Sequence, residues 1–327
     1  MAASPRTDST IRVGTRGSRL ARWQAHWVAE RLRELNPTLK VELVEIKTHG
    51  DRDRNSPLAA IGGVGLFTKE IQRAVCDGLV DVAVHSLKDL PTQGLNELLL
   101  AAVPAREDVA DALISPGYQT IEGLPQGARV GTGSPRRRAQ LLFLRRDLQI
   151  TSLRGNVETR LNQALLGRLD AVMLAWAGLH RLGLERHITQ RLDPSEFLPA
   201  VGQGALGIEC RRDDAATIAM LEPLDEPVTR RAVLAERAAL AALEGGCTLP
   251  IAAWARDVEG DETDPGPPAL AINAAVFDPD GRARVAVVLR GPRDEPDSLG
   301  RRAAQTLRDQ GALRLLERRP LSDDQLG

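Results

Sequence analysis

A cysteine on a glycine turn and a set of arginines at helix starts are the residues here whose types and spacing suit chemistry. Cys247 lies in Glu244-Gly245-Gly246-Cys247-Thr248-Leu249-Pro250. Two glycines after a helix let the backbone turn freely and present the thiol. Cys76 and Cys210 fall in a helix and a strand, where a cysteine is ordinarily a small buried hydrophobe. Cys247 is therefore the candidate for covalent attachment or nucleophilic work.

The cations are concentrated at one kind of place. Ser134-Pro135-Arg136-Arg137-Arg138 puts a capping serine and an N1 proline before three arginines. A cation in a first turn faces the positive helix end, at a cost of roughly 0.3–1 kcal/mol each. A solvated basic face is the bland reading. An anion site is the sharper one, because backbone N–H groups at helix starts already bind anions and guanidinium forks hold carboxylates bidentately. Arg16 lies beside Ser18 in another strand-to-helix turn, Arg154 and Gly155 precede the cap Asn156, Arg160 is one turn further, and Arg181 follows the next strand. Any one of them could serve a structural salt bridge; their shared placement at strand ends argues for a ligand. Lys88 and Asp89 follow a strand in the same way. A carboxylate in a cationic cleft suits stabilising a developing positive charge or moving a proton.

The elements that position these residues read as strand, helix, strand, helix. Residues 11–14 form a short strand, Ser18 caps a helix to about Asn36, and 41–47 alternate as a strand. Phe67, Ile71, Ala74 and Val75 mark a helix ended by Gly78, and 80–85 is a buried strand. The pattern then repeats. Val13-Gly14-Thr15 returns as Val130-Gly131-Thr132, and Leu79-Val80-Asp81-Val82 is echoed by Arg168-Leu169-Asp170-Ala171. Two related doubly wound α/β domains are expected, with Pro104 and Pro199 as crossing points and 205–210 returning to the first sheet. From Glu226 a long helix to about Leu243, strands near 252–257, 269–277 and 284–290, and a helix near 296–310 make a small α+β domain. The domains are thus expected at 1–104 with 205–222, at 105–204 and at 223–327. The Pro/Gly-rich acidic stretch 259–268 reads as a loop.

Bulk properties narrow the function classes. Net charge is −1, which excludes a global field for nucleic acid or a membrane surface. No run approaches a membrane span, and the start lacks an apolar signal core. Three widely spaced cysteines make neither a disulfide framework nor a zinc site, and the histidines form no metal cluster with them. His85 at a strand end is read as a satisfied histidine at least as readily as a base. Gly202-Gln203-Gly204 lacks the context of a dinucleotide fingerprint. A cytosolic enzyme holding a multiply charged anion is expected. A non-catalytic anion-binding protein and a cysteine hydrolase are the alternatives; the first has no use for Cys247 or Asp89, and the second lacks a histidine placed by motif.

Taken together, the segments resemble the porphobilinogen deaminase, or hydroxymethylbilane synthase, family. The likeness rests on 14–18, 62–70, 83–91, 134–137, 153–160, 177–179, 199–205 and 244–247, all in one order. It implies three domains, two of them similar to periplasmic binding proteins. It implies a transferase that joins four porphobilinogen units head to tail into hydroxymethylbilane, releasing ammonia. It also implies a dipyrromethane cofactor held by a thioether to Cys247, and Asp89 stabilising cationic pyrroles. By the same resemblance Arg16, Arg136, Arg137, Arg154, Arg160 and Arg181 pair with acetate and propionate groups, while Ser18, Lys88, Ser134, Gly155 and Gln203 lie near cofactor or substrate. No metal, nucleic acid or membrane partner is implied, and a monomer is expected. One departure is that Ala60 and Val64 stand where many relatives carry lysine. Cationic contacts from that loop are not expected here.

Overall fold

The computed structural model describes residues 10–47, 68–244, 249–259 and 267–317. Cys247, the loop with Ala60 and Val64, Phe67 and most of 259–268 lie outside the described residues.

The first sheet is built from β1 (Thr10–Thr15), β2 (Lys40–Glu45), β3 (Val82–Ser86), β4 (Leu98–Ala102) and a late strand, β10 (Leu206–Arg211). Their order is β2-β1-β3-β10-β4, with β10 antiparallel to both neighbours. Alternation along β3 explains the two covered faces. Val82 and Val84 pack with Ala25, Val28 and Leu32 of α1 (Arg19–Leu35). Ala83 packs with Ile71, Ala74 and Val75 of α2 (Lys69–Cys76).

The second sheet repeats the plan. It comprises β5 (Asp111–Ile114), β6 (Arg129–Gly131), β7 (Gln149–Thr151), β8 (Ala171–Ala175) and β9 (Gln190–Arg191), in the order β7-β6-β8-β5-β9. Here β5 is the antiparallel intruder. The repeat reaches individual bonds: Arg12 N donates to Asp81 at 2.9 Å, and Arg129 N donates to Asp170 at 2.7 Å. Helices α3 (Pro135–Leu144), α4 (Val157–Leu165) and α5 (Trp176–Arg181) cover this sheet. The chain crosses between sheets twice, from β4 to β5 and from residue 198 to β10.

After α6 (Ala215–Leu221), α7 (Pro227–Ala242) packs with α8 (Pro296–Asp309) on an antiparallel meander of β11 (Ile251–Val258), β12 (Ala269–Phe277) and β13 (Arg284–Gly291). Gly300 lets the two helices touch: a Cβ there would lie 2.2 Å from the Ala235 carbonyl oxygen.

One strand is shorter than the sequence pattern suggests. Gly78 takes φ +71°, and the Leu79 and Val80 amides both return to the Ala74 carbonyl. Those amides are spent closing α2, so β3 begins at Val82. Leu148 N turns back to Arg145 O, and β7 begins at Gln149.

Candidate active site

Two adjoining cavities lie at the carboxyl ends of the strands. The first is lined by Arg16, Ser18, Gln24, Thr68, His85, Ser86 and Asp89, among others. The second includes Lys88, Arg137, Arg160, Arg181, Gly178, Gly202 and Gly204. Leu20, Gln24 and Ser86 belong to both walls, and Gln24 Nε2 donates to Ser86 Oγ at 2.8 Å. The cavities thus adjoin through a common wall, and residues from both sheets' domains line the second.

Local sequence sets each position. Ser18 Oγ accepts from Ala21 N and starts α1 directly after Arg16. Ser134 Oγ accepts from Arg137 N, with Pro135 at the first turn of α3. Asn156 Oδ1 accepts from Thr159 N and starts α4, which carries Arg160. Such caps are worth about 1 kcal/mol each. Gly155 sits at φ +101°, where a Cβ would also press Thr159 Cγ2 at 2.9 Å. A short 3-10 turn, Leu87–Asp89, follows β3 and divides its charges: Asp89 lines the first cavity and Lys88 the second. Arg154 is not a lining residue of these two cavities; its charge adds to the field felt by Arg160.

The electrostatics of the cleft are those of cations held close together. Burial, then Arg137, lowers the half-buried Lys88 ammonium to about 8, against the pull of Asp89 and Asp111. Burial and the charges of Arg137, Arg154 and Arg16 lower Arg160 to about 10, with Asp89 opposing. Arg160 Nε is buried without a hydrogen-bond partner. Arg181 is lowered to about 10 by burial; its Nη2 donates to Gly204 O at 2.7 Å and its guanidinium lies 5.7 Å from the Trp23 ring centre. Cations depressed by burial and by neighbouring positive charge are stabilised by bringing an anion among them.

Arg136 and Arg137 have a partner that the sequence did not disclose. Arg136 Nη1 donates to Asp111 Oδ2 at 2.6 Å and to Leu198 O at 2.6 Å. Arg137 donates to Asp111 Oδ1 from Nε at 2.9 Å and from Nη2 at 2.7 Å. Burial would push the Asp111 carboxyl up, but the two guanidiniums hold it well below the usual carboxylate range. Gln203 is fully buried and also donates to Asp111 Oδ1, at 2.9 Å. Arg136 and Gln203 are thus engaged behind the cleft wall, whereas Arg137 lines the cavity itself. The only trace in the sequence is an acid beginning an apolar strand, Asp111-Ala112-Leu113-Ile114.

Cys210 is buried and its thiol is pushed up to about 11 by that burial; Cys76 is raised for the same reason. Neither is an activated thiolate.

A dipyrromethane carries several carboxylates. The arrangement of Lys88, Arg137, Arg160 and Arg181, with the unpartnered Arg160 Nε, fits such a group.

Comparison with known proteins is consistent with this chemistry. The family described as "Porphobilinogen deaminase, dipyromethane cofactor binding domain" matches residues 11–219, and "Porphobilinogen deaminase, C-terminal domain" matches 230–309. A porphobilinogen deaminase of Syntrophotalea carbinolica is 46% identical over 310 residues, covering 95% of this chain and 96% of that protein. One from Desulforudis audaxviator is 48% identical over 307 residues, covering 94% and 96%. Solved structures with a similar outline include a periplasmic substrate-binding protein of an ABC transporter from Coxiella burnetii. It has TM-score 0.42 and 16% identity, covering 67% of this chain and 94% of that one. Matches over nearly the whole length, at close to half identity, leave one assignment: the chain belongs to the porphobilinogen deaminase family.

Proposed function

We propose that these two adjoining cavities are where this transferase of tetrapyrrole biosynthesis joins four porphobilinogen units into hydroxymethylbilane with release of ammonia. The observation that carries the placement is the grouping of Lys88, Arg137, Arg160 and Arg181 along one cavity, with Arg160 Nε buried and without a hydrogen-bond partner. Each added pyrrole brings two carboxylates, and closely grouped cations suit them.

In this reading Lys88, Arg16, Arg137, Arg154, Arg160 and Arg181 bind and orient carboxylates. Arg136 and Gln203 act through Asp111, keeping Arg137 aimed at the cleft. Ser18, Ser134 and Gly155 fix the turns that carry these cations. Asp89 stabilises the positive charge left on the substrate ring when ammonia departs. Cys247 holds the dipyrromethane by a thioether, and that group, when bound, supplies the pyrrole end to which units are added. The domains divide at 1–104 with 205–222, 105–204 and 223–327, and the chain acts as a cytosolic monomer. Among the described residues no helix is long and apolar enough to cross a membrane.

The intact mass of the purified protein tests the central point. It should exceed the sequence mass by one dipyrromethane, and Cys247→Ser should remove the excess together with the activity. An adduct that persists in Cys247→Ser moves the attachment elsewhere.

A further inference from the structure

Behind the first cavity lies a buried polar group with no role in the mechanism so far. Glu209, on β10, is 3% exposed, and both its carboxylate oxygens accept from Gln72 Nε2, at 3.2 and 3.0 Å. His85 Nε2 lies 3.2 Å from Glu209 Oε2, close to the carboxylate although outside hydrogen-bond alignment. His85 is itself a wall of the cavity that contains Asp89. A proton on Nε2 would face the carboxylate and leave Nδ1, on the other edge of the ring, with a lone pair. A buried acid, an imidazole beside it and a reaction cavity beyond form the arrangement by which a carboxylate orients a general base.

The joining of pyrroles calls for such a base. The substrate's C–N bond breaks, and its electron pair leaves on nitrogen as ammonia. A ring α-carbon of the acceptor pyrrole gives a π pair to the freed methylene carbon, forming the C–C bond. That α-carbon then holds a hydrogen that must leave as a proton, its C–H pair returning to the ring. Among the described residues lining the cavity, only His85 and Asp89 can accept a proton. A protonated Asp89 would lose the charge that the substrate cation needs.

We infer that His85, oriented by Glu209, accepts the proton released when each pyrrole is joined, leaving Asp89 ionised throughout. The proton passes from the α-carbon to Nδ1 and then to solvent. Glu209 is the positioning residue and balances the imidazolium. This inference rests on the functional reading above.

The test compares enzyme shown by intact mass to carry its cofactor. The substrates are porphobilinogen and porphobilinogen deuterated at its unsubstituted ring α-carbon. His85→Gln should lower kcat about 100-fold, leave KM within about threefold, and produce a primary deuterium effect on kcat absent in the parent. A second readout needs no turnover: 15N spectra of the imidazole should show Nε2 protonated and Nδ1 bare. Glu209→Gln, which keeps the shape, should disturb that tautomer and lower kcat about tenfold at unchanged KM. Parent-like kcat in His85→Gln overturns the inference. So does a raised KM without an isotope effect, which makes His85 an anion contact, or an isotope effect in Asp89→Asn alone. A parent enzyme that neither carries the cofactor nor consumes porphobilinogen sinks the functional reading instead.

Discussion

Arg136 Nη1 approaches Asp111 Oδ2 to 2.6 Å, with both side chains withdrawn from solvent. With Arg137 on the other oxygen, one carboxylate anchors two guanidiniums at the start of α3. Removing a member of such a buried cluster leaves an uncompensated charge. Asp111→Asn should destabilise the fold by about 3–5 kcal/mol, read from denaturant unfolding. The pH dependence has a definite sign. The folded carboxyl titrates below its unfolded value of about 3.9, so its stabilisation is complete above that value and is lost as pH falls through the folded pKa. Asp111→Asn should flatten that acid limb.

Arg136 and Arg160 should separate in their effects. Arg136→Leu strands half of the Asp111 cluster and should lower stability by about 3–5 kcal/mol. Arg160→Leu relieves a cation crowded by other cations, so the apo protein should keep or gain stability. Its loss should appear in binding, on the order of 2–5 kcal/mol. Thermal unfolding of apo protein beside cofactor loading and KM distinguishes the two. Equal destabilisation by both would remove Arg160 from the ligand set.

Lys88 gives a prediction on the alkaline side. Its folded pKa of about 8 lies below the unfolded value of about 10.4. Between them the unfolded chain binds more protons, so this group's contribution to stability rises with pH across the window. Anion binding runs the other way and weakens as pH rises through about 8. Lys88→Met should abolish that fall in affinity, whereas Lys88→Arg should move it beyond the measured range. An unchanged alkaline limb in Lys88→Met would assign it to another group.

Asp89→Asn keeps size and removes charge. Turnover of porphobilinogen by folded, cofactor-loaded variant should drop by roughly two orders of magnitude or more. Asp89→Glu should retain part of the activity, because the charge remains and only its position shifts. Parent-like turnover in Asp89→Asn would place charge stabilisation elsewhere.

What could be read along the chain was local. Ser18, Ser134 and Asn156 announce helix starts by type and spacing, and each side chain does accept from the helix it opens. The apolar run of β12 has the expected limits, and 206–211 returns to the first sheet as its pattern suggests. What could not be read was pairing across crossings. Asp111 meets Arg136 and Arg137 only because β5 runs antiparallel beside β8, and nothing near Asp111 in sequence announces that. Glu209 and His85 are likewise joined by strand order, far apart along the chain. Tertiary placement also changed the meaning of the arginines at 136 and 137: both neutralise a buried acid, and of the two only Arg137 lines the cavity.

Strand β10 sits between β3 and β4, although more than a hundred residues separate it from β4 in the chain. During synthesis, β3 and β4 are therefore finished long before the strand that joins them. Until residue 211 has emerged, the first sheet has two unfilled edges, and the second sheet must form while they wait. A release at residue 200 would leave both edges open to strands of other molecules, the condition under which chains aggregate. The late strand makes the first half of the chain dependent on the second, so a single premature stop loses both the cleft and the solubility of what was already made.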